Sequence, residues 1–245
     1  MSELLFGLEE RTLMDNAGSW RESRARFTIL EKTMTAIRTD HLVYAVPNLA
    51  AAVDRIAAEW GVRPAIGGQH PHGTHNALLA LGPHTYLEII APDPAQPNPS
   101  KSRSFGIDER PGDTRLVTWA AATPDLDATH TAALAQGYDP GDVMNGSRLR
   151  PDGVKIEWRS TRLVGWPPPG DGLVPFLIEW GSGTPHPASD SPAGCTLVSL
   201  RAEHPDPAAI QQMLAALGLK IPVTPGPTPA LYALIDTPNG PQELA

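Results

Sequence analysis

Glu88 stands in the middle of "YLEII", an acid among apolar neighbours, and a carboxylate in such company needs a partner or a task. His41 opens a second apolar run, "HLVYAV". If both runs are strands lining one concavity, period-two alternation puts His41, Val43 and Ala45 on a single face. An imidazole and a carboxylate there would leave open positions on Fe, Mn, Ni or Zn, where adjacent oxygens of a substrate could chelate. The other reading is structural, with His41 a capped strand-end residue and Glu88 a surface carboxylate.

Three further histidines, His70, His72 and His75, cluster in "HPHGTHN" ahead of the run "NALLALG". Alternation groups His75 with Ala77 and Leu79, where it could be an inward ligand or general base, or a hydrogen-bonded partner of Asn76. His70 and His72 are read as loop residues. Trp119, Trp158 and Trp180 fall on expected strands and would line an apolar pocket or pack in the core. Lys101, Arg103 and the "RSTR" stretch at Arg159–Arg162 are read as solvated surface, although they could meet an acidic substrate group. No phosphate loop, dinucleotide fingerprint or G-x-S-x-G elbow occurs. The single Cys195 lies in an apolar strand and reads as inert core; with no disulfide possible within the chain, the expected compartment is reducing and cytoplasmic.

The elements that must position these groups recur. "VPNLAAAV…EWGVRP", "TPDLDATH…AQGYDP" and "HPDPAAIQ…ALGLKIP" begin at Val46, Thr123 and His204, and such self-similarity implies one supersecondary unit used repeatedly. Before each proline (Pro47, Pro124, Pro205) stands a strand-like run: "HLVYAV", "RLVTWAAA", "CTLVSLRA". After it, apolar residues recur at helical spacing: Leu49, Val53, Ile56 and Trp60 in the first copy, and Ile210, Met213, Leu214 and Leu217 in the third. Asn48, Asp125 and Asp206 stand where they would cap the helices. Gly61, Gly137 and Gly218 stand where the helices would close on a left-handed residue. "PAIGG", "NALLALG" and "TYLEII" complete the first unit, so it reads strand, helix, three strands. The expected class is α+β, with units near 39–93, 113–183 and 194–245 curling mixed sheet into a cup with helices outside.

The chain carries 245 residues and a formal charge of −8 without a long basic block, which argues against nucleic acid or anionic membrane as partner. No apolar run is long enough to span a bilayer. Residues 1–38 stand outside the repeat, as a helical extension or a poorly ordered tail. The Pro-rich "GWPPPGDG" at Gly165–Gly172 reads as a surface loop rather than a lid.

Together, "TDHLVYAVPNL", "GTHNALLALG", "YLEIIAP", "VPFLIEWG" and "DTPNGPQEL" resemble the vicinal oxygen chelate superfamily, in its glyoxalase-like branch beside bleomycin-resistance proteins and extradiol dioxygenases. The resemblance spans about residues 39–245. It implies a cup built from paired units and a metal held by a first-strand His and a last-strand Glu, here His41 and Glu88. Glu179 in "PFLIEWG" and Glu243 in "TPNGPQEL" occupy the corresponding strand ends of the later units, whereas Thr118 stands where the second unit's His belongs. His75 could make up the deficit. The resemblance therefore implies a divalent metal (Fe, Mn, Ni or Zn) on His41 and Glu88 with Glu179 or His75. Glu179 or His75 would then move a proton in an isomerase or lyase reaction on a small oxygen-chelating substrate. The alternatives are a metal-free binding protein of the bleomycin-resistance type and a ring-cleaving dioxygenase. Cups need pairs, so the third unit either packs outside the cup or implies a homodimer.

Overall fold

The computed structural model describes residues 37–71, 73–149, 153–161 and 167–245. The readings for residues 1–36, His72 and the start of the Gly165–Gly172 loop lie outside them. The first unit runs β1 (Arg38–Ala45), α1 (Leu49–Trp60), β2 (Ala65–His70), β3 (Thr74–Ala80) and β4 (Tyr86–Pro92). The second repeats it as β5 (Arg115–Ala122), α2 (Leu126–Ala135), β6 (Val143–Leu149), β7 (Lys155–Thr161) and β8 (Phe176–Trp180). The helices start and stop where side-chain chemistry directs. Asn48, Asp125 and Asp206 each accept a backbone N–H of the first turn, and Gly61, Gly137 and Gly218 take positive φ just past the helix ends.

The two units form one eight-stranded sheet in the order β2-β3-β4-β1-β5-β8-β7-β6. Each unit closes on itself by a parallel pair, β1 with β4 and β5 with β8, and β1 joins β5 antiparallel. The sheet curls into a half-barrel. Its outer face carries Leu42, Tyr44, Leu79, Leu87, Ile89, Trp119 and Ala121, packed in one apolar cluster with the stripe of α1. Its inner face carries Val43, Ala45 and Ile90.

After the four-residue helix α3 (Pro187–Asp190), the third segment has the same element sequence but a different topology. Its β9 (Thr196–His204), α4 (Pro207–Ala216), β10 (Val223–Pro225), β11 (Ala230–Asp236) and β12 (Gln242–Leu244) form a second sheet in the order β10-β9-β11-β12. Here β9 pairs in parallel with the strand just after its helix, not with the last one. The connection is proline-rich (Pro222, Pro225, Pro227, Pro229), and proline is tolerated at a sheet edge, where β10 lies. The second sheet lays Leu200, Ala202, Leu231, Ala233 and Ile235 against the outer face of the first. The cup is thus complete within one chain, and the third segment is no leftover half-cup in need of a second copy. Among the described residues no helix is long and apolar enough to cross a membrane. Cys195 is buried, and burial raises its thiol pKa, in keeping with inert core.

Candidate functional site

The concave face encloses a cavity of about 690 Å³. Its two halves differ in chemistry, and the cause is strand register. In the first unit His41 pairs with Tyr86 and Val43 with Glu88, so His41, Tyr86 and Glu88 share the inner face. At the matching positions of the second unit Ala120 pairs with Phe176 and Ala122 with Ile178. Glu179 is one residue beyond, and a shift of one residue crosses the sheet. It accepts the N–H of Leu126 at the start of α2 (2.7 Å) and lies 3.8 Å from Arg159. Glu179 is therefore a helix-terminus carboxylate on the outer side, not a ligand or base in the cup. Ala120, not Thr118, takes the place of a second His.

His75 is likewise on the other side. Alternation does group it with Ala77 and Leu79, but that face belongs to the outer core; the inner face of β3 carries Thr74, Asn76 and Leu78. Glu243, half-exposed, pairs with Arg201 on the second sheet (3.1 Å). Of the four expected site residues, the structure brings together His41 and Glu88.

What joins them was only partly legible. Asp40 is the extra residue of a β-bulge, since Thr39 faces Ala121 and His41 faces Ala120. Such a bulge re-aims side chains, and Asp40 and His41 meet: His41 Nδ1–H donates to Asp40 Oδ1 at 2.7 Å. Trp180 Nε1 and His186 Nε2 donate to Asp40 Oδ2, both at 2.9 Å. The His186 tautomer is fixed because its Nδ1 accepts the N–H of Ala188. Burial alone would raise the Asp40 carboxyl, but the hydrogen bonds from His186, His41 and Trp180 outweigh it and hold the group well below the usual carboxylate range. An ionised Asp40 keeps the proton of His41 on Nδ1 and leaves the Nε2 lone pair facing the cavity. There it lies 3.9 Å from Glu88 Oε2, too far for a hydrogen bond. Tyr86 stacks on the His41 ring at 4.7 Å.

Glu88 is held from its other oxygen. Asn76 Nδ2 donates to Oε1 at 2.7 Å and contacts His70 Nε2 at 3.3 Å, while His70 Nδ1 meets Thr74 Oγ1 at 2.8 Å. His70 is a wall residue of the site, not a loop residue; its period-two spacing from Gly68 was the available signal. A Cβ at Gly67 would lie 2.3 Å from Asn76 Oδ1, so only glycine leaves this amide in place.

The donor set can be tested against the expected metal. His41 Nε2 and Glu88 Oε2 are two convergent donors, but the third, His70 Nε2, faces the Asn76 amide, which also occupies Glu88 Oε1. Among the described residues no three His, Cys, Asp or Glu side chains are grouped to hold an ion. As arranged, the residues do not fit a three-ligand centre.

The second unit supplies an aromatic wall. Trp158 and Trp180 lie 5.9 Å apart, and Phe176 meets His41 edge-on at 5.4 Å. Trp119 instead packs in the outer core and donates Nε1–H to Leu173 O. A strap at Lys101–Glu109 crosses the mouth, pinned by Arg103, which bonds Asp108, Gly73 O, Gln96 O and Pro97 O. Arg103 is thus a structural pin, not solvated surface. The strap presents Phe105 in the left-handed region (φ 64°) at 6.2 Å from Phe176, a conformation that costs energy outside glycine.

A curled eight-stranded sheet of two β-α-β-β-β units, with a His and a Glu side by side on its inner face, defines a protein of the vicinal oxygen chelate fold. Residues 39–218 match the glyoxalase-like domain, and the chain belongs to that family. A Staphylococcus aureus hypothetical protein superposes with a TM-score of 0.56 at 13% identity, over 83% of this chain and 82% of that one. Methylmalonyl-CoA epimerase from Mycobacterium tuberculosis gives 0.38 at 20% identity, over 60% of this chain and 87% of that one. A Streptomyces coelicolor methylmalonyl-CoA epimerase variant in complex with 2-nitronate-propionyl-CoA gives 0.41 at 17% identity, over 62% and 99%. No curated protein matches the sequence.

Proposed function

We propose that the protein is an enzyme of the isomerase or lyase type that moves a proton on a small molecule, at a carbon next to a carbonyl. The observation that carries this reading is the line Asp40–His41–Glu88. A buried carboxylate fixes the imidazole tautomer, and the free Nε2 faces a second carboxylate across a 3.9 Å gap. A substrate C–H bound in the cavity against both groups can lose its proton to His41 Nε2, its electron pair passing to the neighbouring carbonyl as an enolate, with Asp40 stabilising the imidazolium formed. Glu88, held by Asn76 on the strand beside His41, would exchange a proton with the same substrate from the same wall of the cavity. Return of the proton to the same or a neighbouring carbon gives an isomerase; loss of a leaving group gives a lyase. No step here passes through a metal.

The test is deuterium incorporation at the α-carbon, followed by proton NMR in heavy water, over a panel of small 2-oxo and 3-oxo acids with chelator-treated protein. Exchange by the native protein, lost in both His41→Gln and Glu88→Gln, is expected. Exchange that survives both variants, or that occurs with no panel member, sinks the reading. Exchange that appears only after Mn²⁺, Ni²⁺ or Zn²⁺ is added back would assign carbonyl polarisation to a metal. The second reading is sequestration of an apolar compound, favoured by Ala120 and Ile178 where the second unit would otherwise repeat the reactive pair. Tight binding of an aromatic compound without any exchange would support it.

A further inference from the structure

The cavity holds a positive charge that the His41–Glu88 pair does not use. Arg148 sits on β6, one edge of the eight-stranded sheet, and reaches across the cup to β2 at the other edge. There its Nη1 donates to Gly67 O at 3.4 Å, a weak bond. A guanidinium offers five N–H donors in a planar fork. Among the described residues no carboxylate lies within ion-pair distance of this one, although Glu88 and Glu109 both line the cavity. Arg103, the other lining arginine, is committed to Asp108 at 2.6 Å. The hydroxyl of Tyr86 lies within electrostatic reach of Arg148. Burial, with Asp40 and Glu88, raises its pKa well above the ordinary tyrosine value while Arg148 acts in the opposite sense, so it remains a proton donor.

Beside this charge is a flat apolar surface. Gly146 faces Trp158 across the β6–β7 pair, and a Cβ at Gly146 would stand 2.3 Å from Trp158 Cε2. The indole therefore lies down on the strand because position 146 has no side chain. Phe105 of the strap and Phe176 extend the aromatic lining on the way to His41.

We propose that the cavity takes a flat, aromatic small molecule bearing a carboxylate, with the carboxylate on Arg148 and the ring on the Trp158 wall. This names the substrate class of the site and rests on the cavity being the reaction site proposed above. Arg pairs with a carboxylate through two parallel N–H···O bonds, and the volume of about 690 Å³ accepts such a molecule.

The test compares trans-cinnamate with its uncharged isostere cinnamamide by isothermal titration and by quenching of tryptophan fluorescence in the full-length protein. Native protein is expected to bind the acid about tenfold tighter than the amide, as a charge-assisted hydrogen-bond pair supplies. That preference should collapse in Arg148→Gln and persist in part in Arg148→Lys, whereas Gly146→Ala should weaken both probes alike. Equal binding of acid and amide, no binding of the acid up to its solubility limit, or an undiminished preference in Arg148→Gln overturns the proposal. The native comparison needs no variant to fold. Two outcomes separate the proposals: an acid preference in native protein that catalyses no exchange leaves the carboxylate site standing and removes the proton-transfer reading, whereas His41→Gln is expected to lose exchange and keep the acid preference.

Discussion

Replacing Asp40 by Asn keeps the shape of the buried group and removes the charge on which three donors converge. An amide has one acceptor oxygen, so His41, His186 and Trp180 cannot all remain satisfied, and the cost is about 1–3 kcal/mol. The folded-state pKa of Asp40 is depressed. Its stabilisation is therefore complete above the unfolded value of about 4 and is lost as the pH falls through the lower folded value. Urea melts from neutral to acid pH should show native protein and Asp40→Asn furthest apart near neutrality and converging in acid; a gap that widens in acid refutes this account. Gly67→Ala should act through space alone, driving Asn76 off Glu88 and lowering exchange activity, with Asn76→Ala on the native background giving the same phenotype. His41 and Glu88 were legible because alternation and an acid in an apolar strand are local signals. Asp40 was not, because its role depends on a bulge set by β5. Nor was Arg148, whose partner strand is 81 positions away.

At the scale of elements, the caps and the closing glycines were readable, since each depends on residues within one turn. Register was not. Glu88 and Glu179 stand in similar strings, "YLEII" and "FLIEW", yet one is the third residue of its string and the other the fourth, and only the pairing with β1 or β5 decides which face each takes. Glu179 should therefore behave as part of α2. In Glu179→Gln the carboxylate at the helix N-terminus is lost, for about 0.3–1 kcal/mol, and thermal melting should register a small drop. Exchange activity and cinnamate binding should be unchanged; loss of either would return Glu179 to the site.

At the scale of the molecule, the open issue is whether the second sheet is an appendage or part of the cup's own core. One apolar cluster holds Leu42, Leu87 and Trp119 of the first sheet together with Leu231, Ala233 and Ile235 of the second. Polar contacts close the same seam. Leu116 N–H donates to Ala245 O at the chain's end, Leu197 N–H to Leu81 O, and Asn239 Nδ2 to Ala58 O and Glu59 O at the end of α1. Removing the second sheet would expose the outer face of the strands that carry His41 and Glu88. We therefore expect residues 39–245 to unfold as one cooperative unit, with Leu231→Ala costing about 2–5 kcal/mol although it lies outside the eight-stranded sheet. Trp60, Trp119, Trp158 and Trp180 lie in the first two units, so the fluorescence of these four reports the cup, while amide exchange in β9 and β11 reports the second sheet. Coincident urea transitions by the two probes, shifted together in Leu231→Ala, are the expected result. A second sheet that melts first while the tryptophan signal and cinnamate binding persist would make it a separate domain, and would show that the cup holds its site without support from behind.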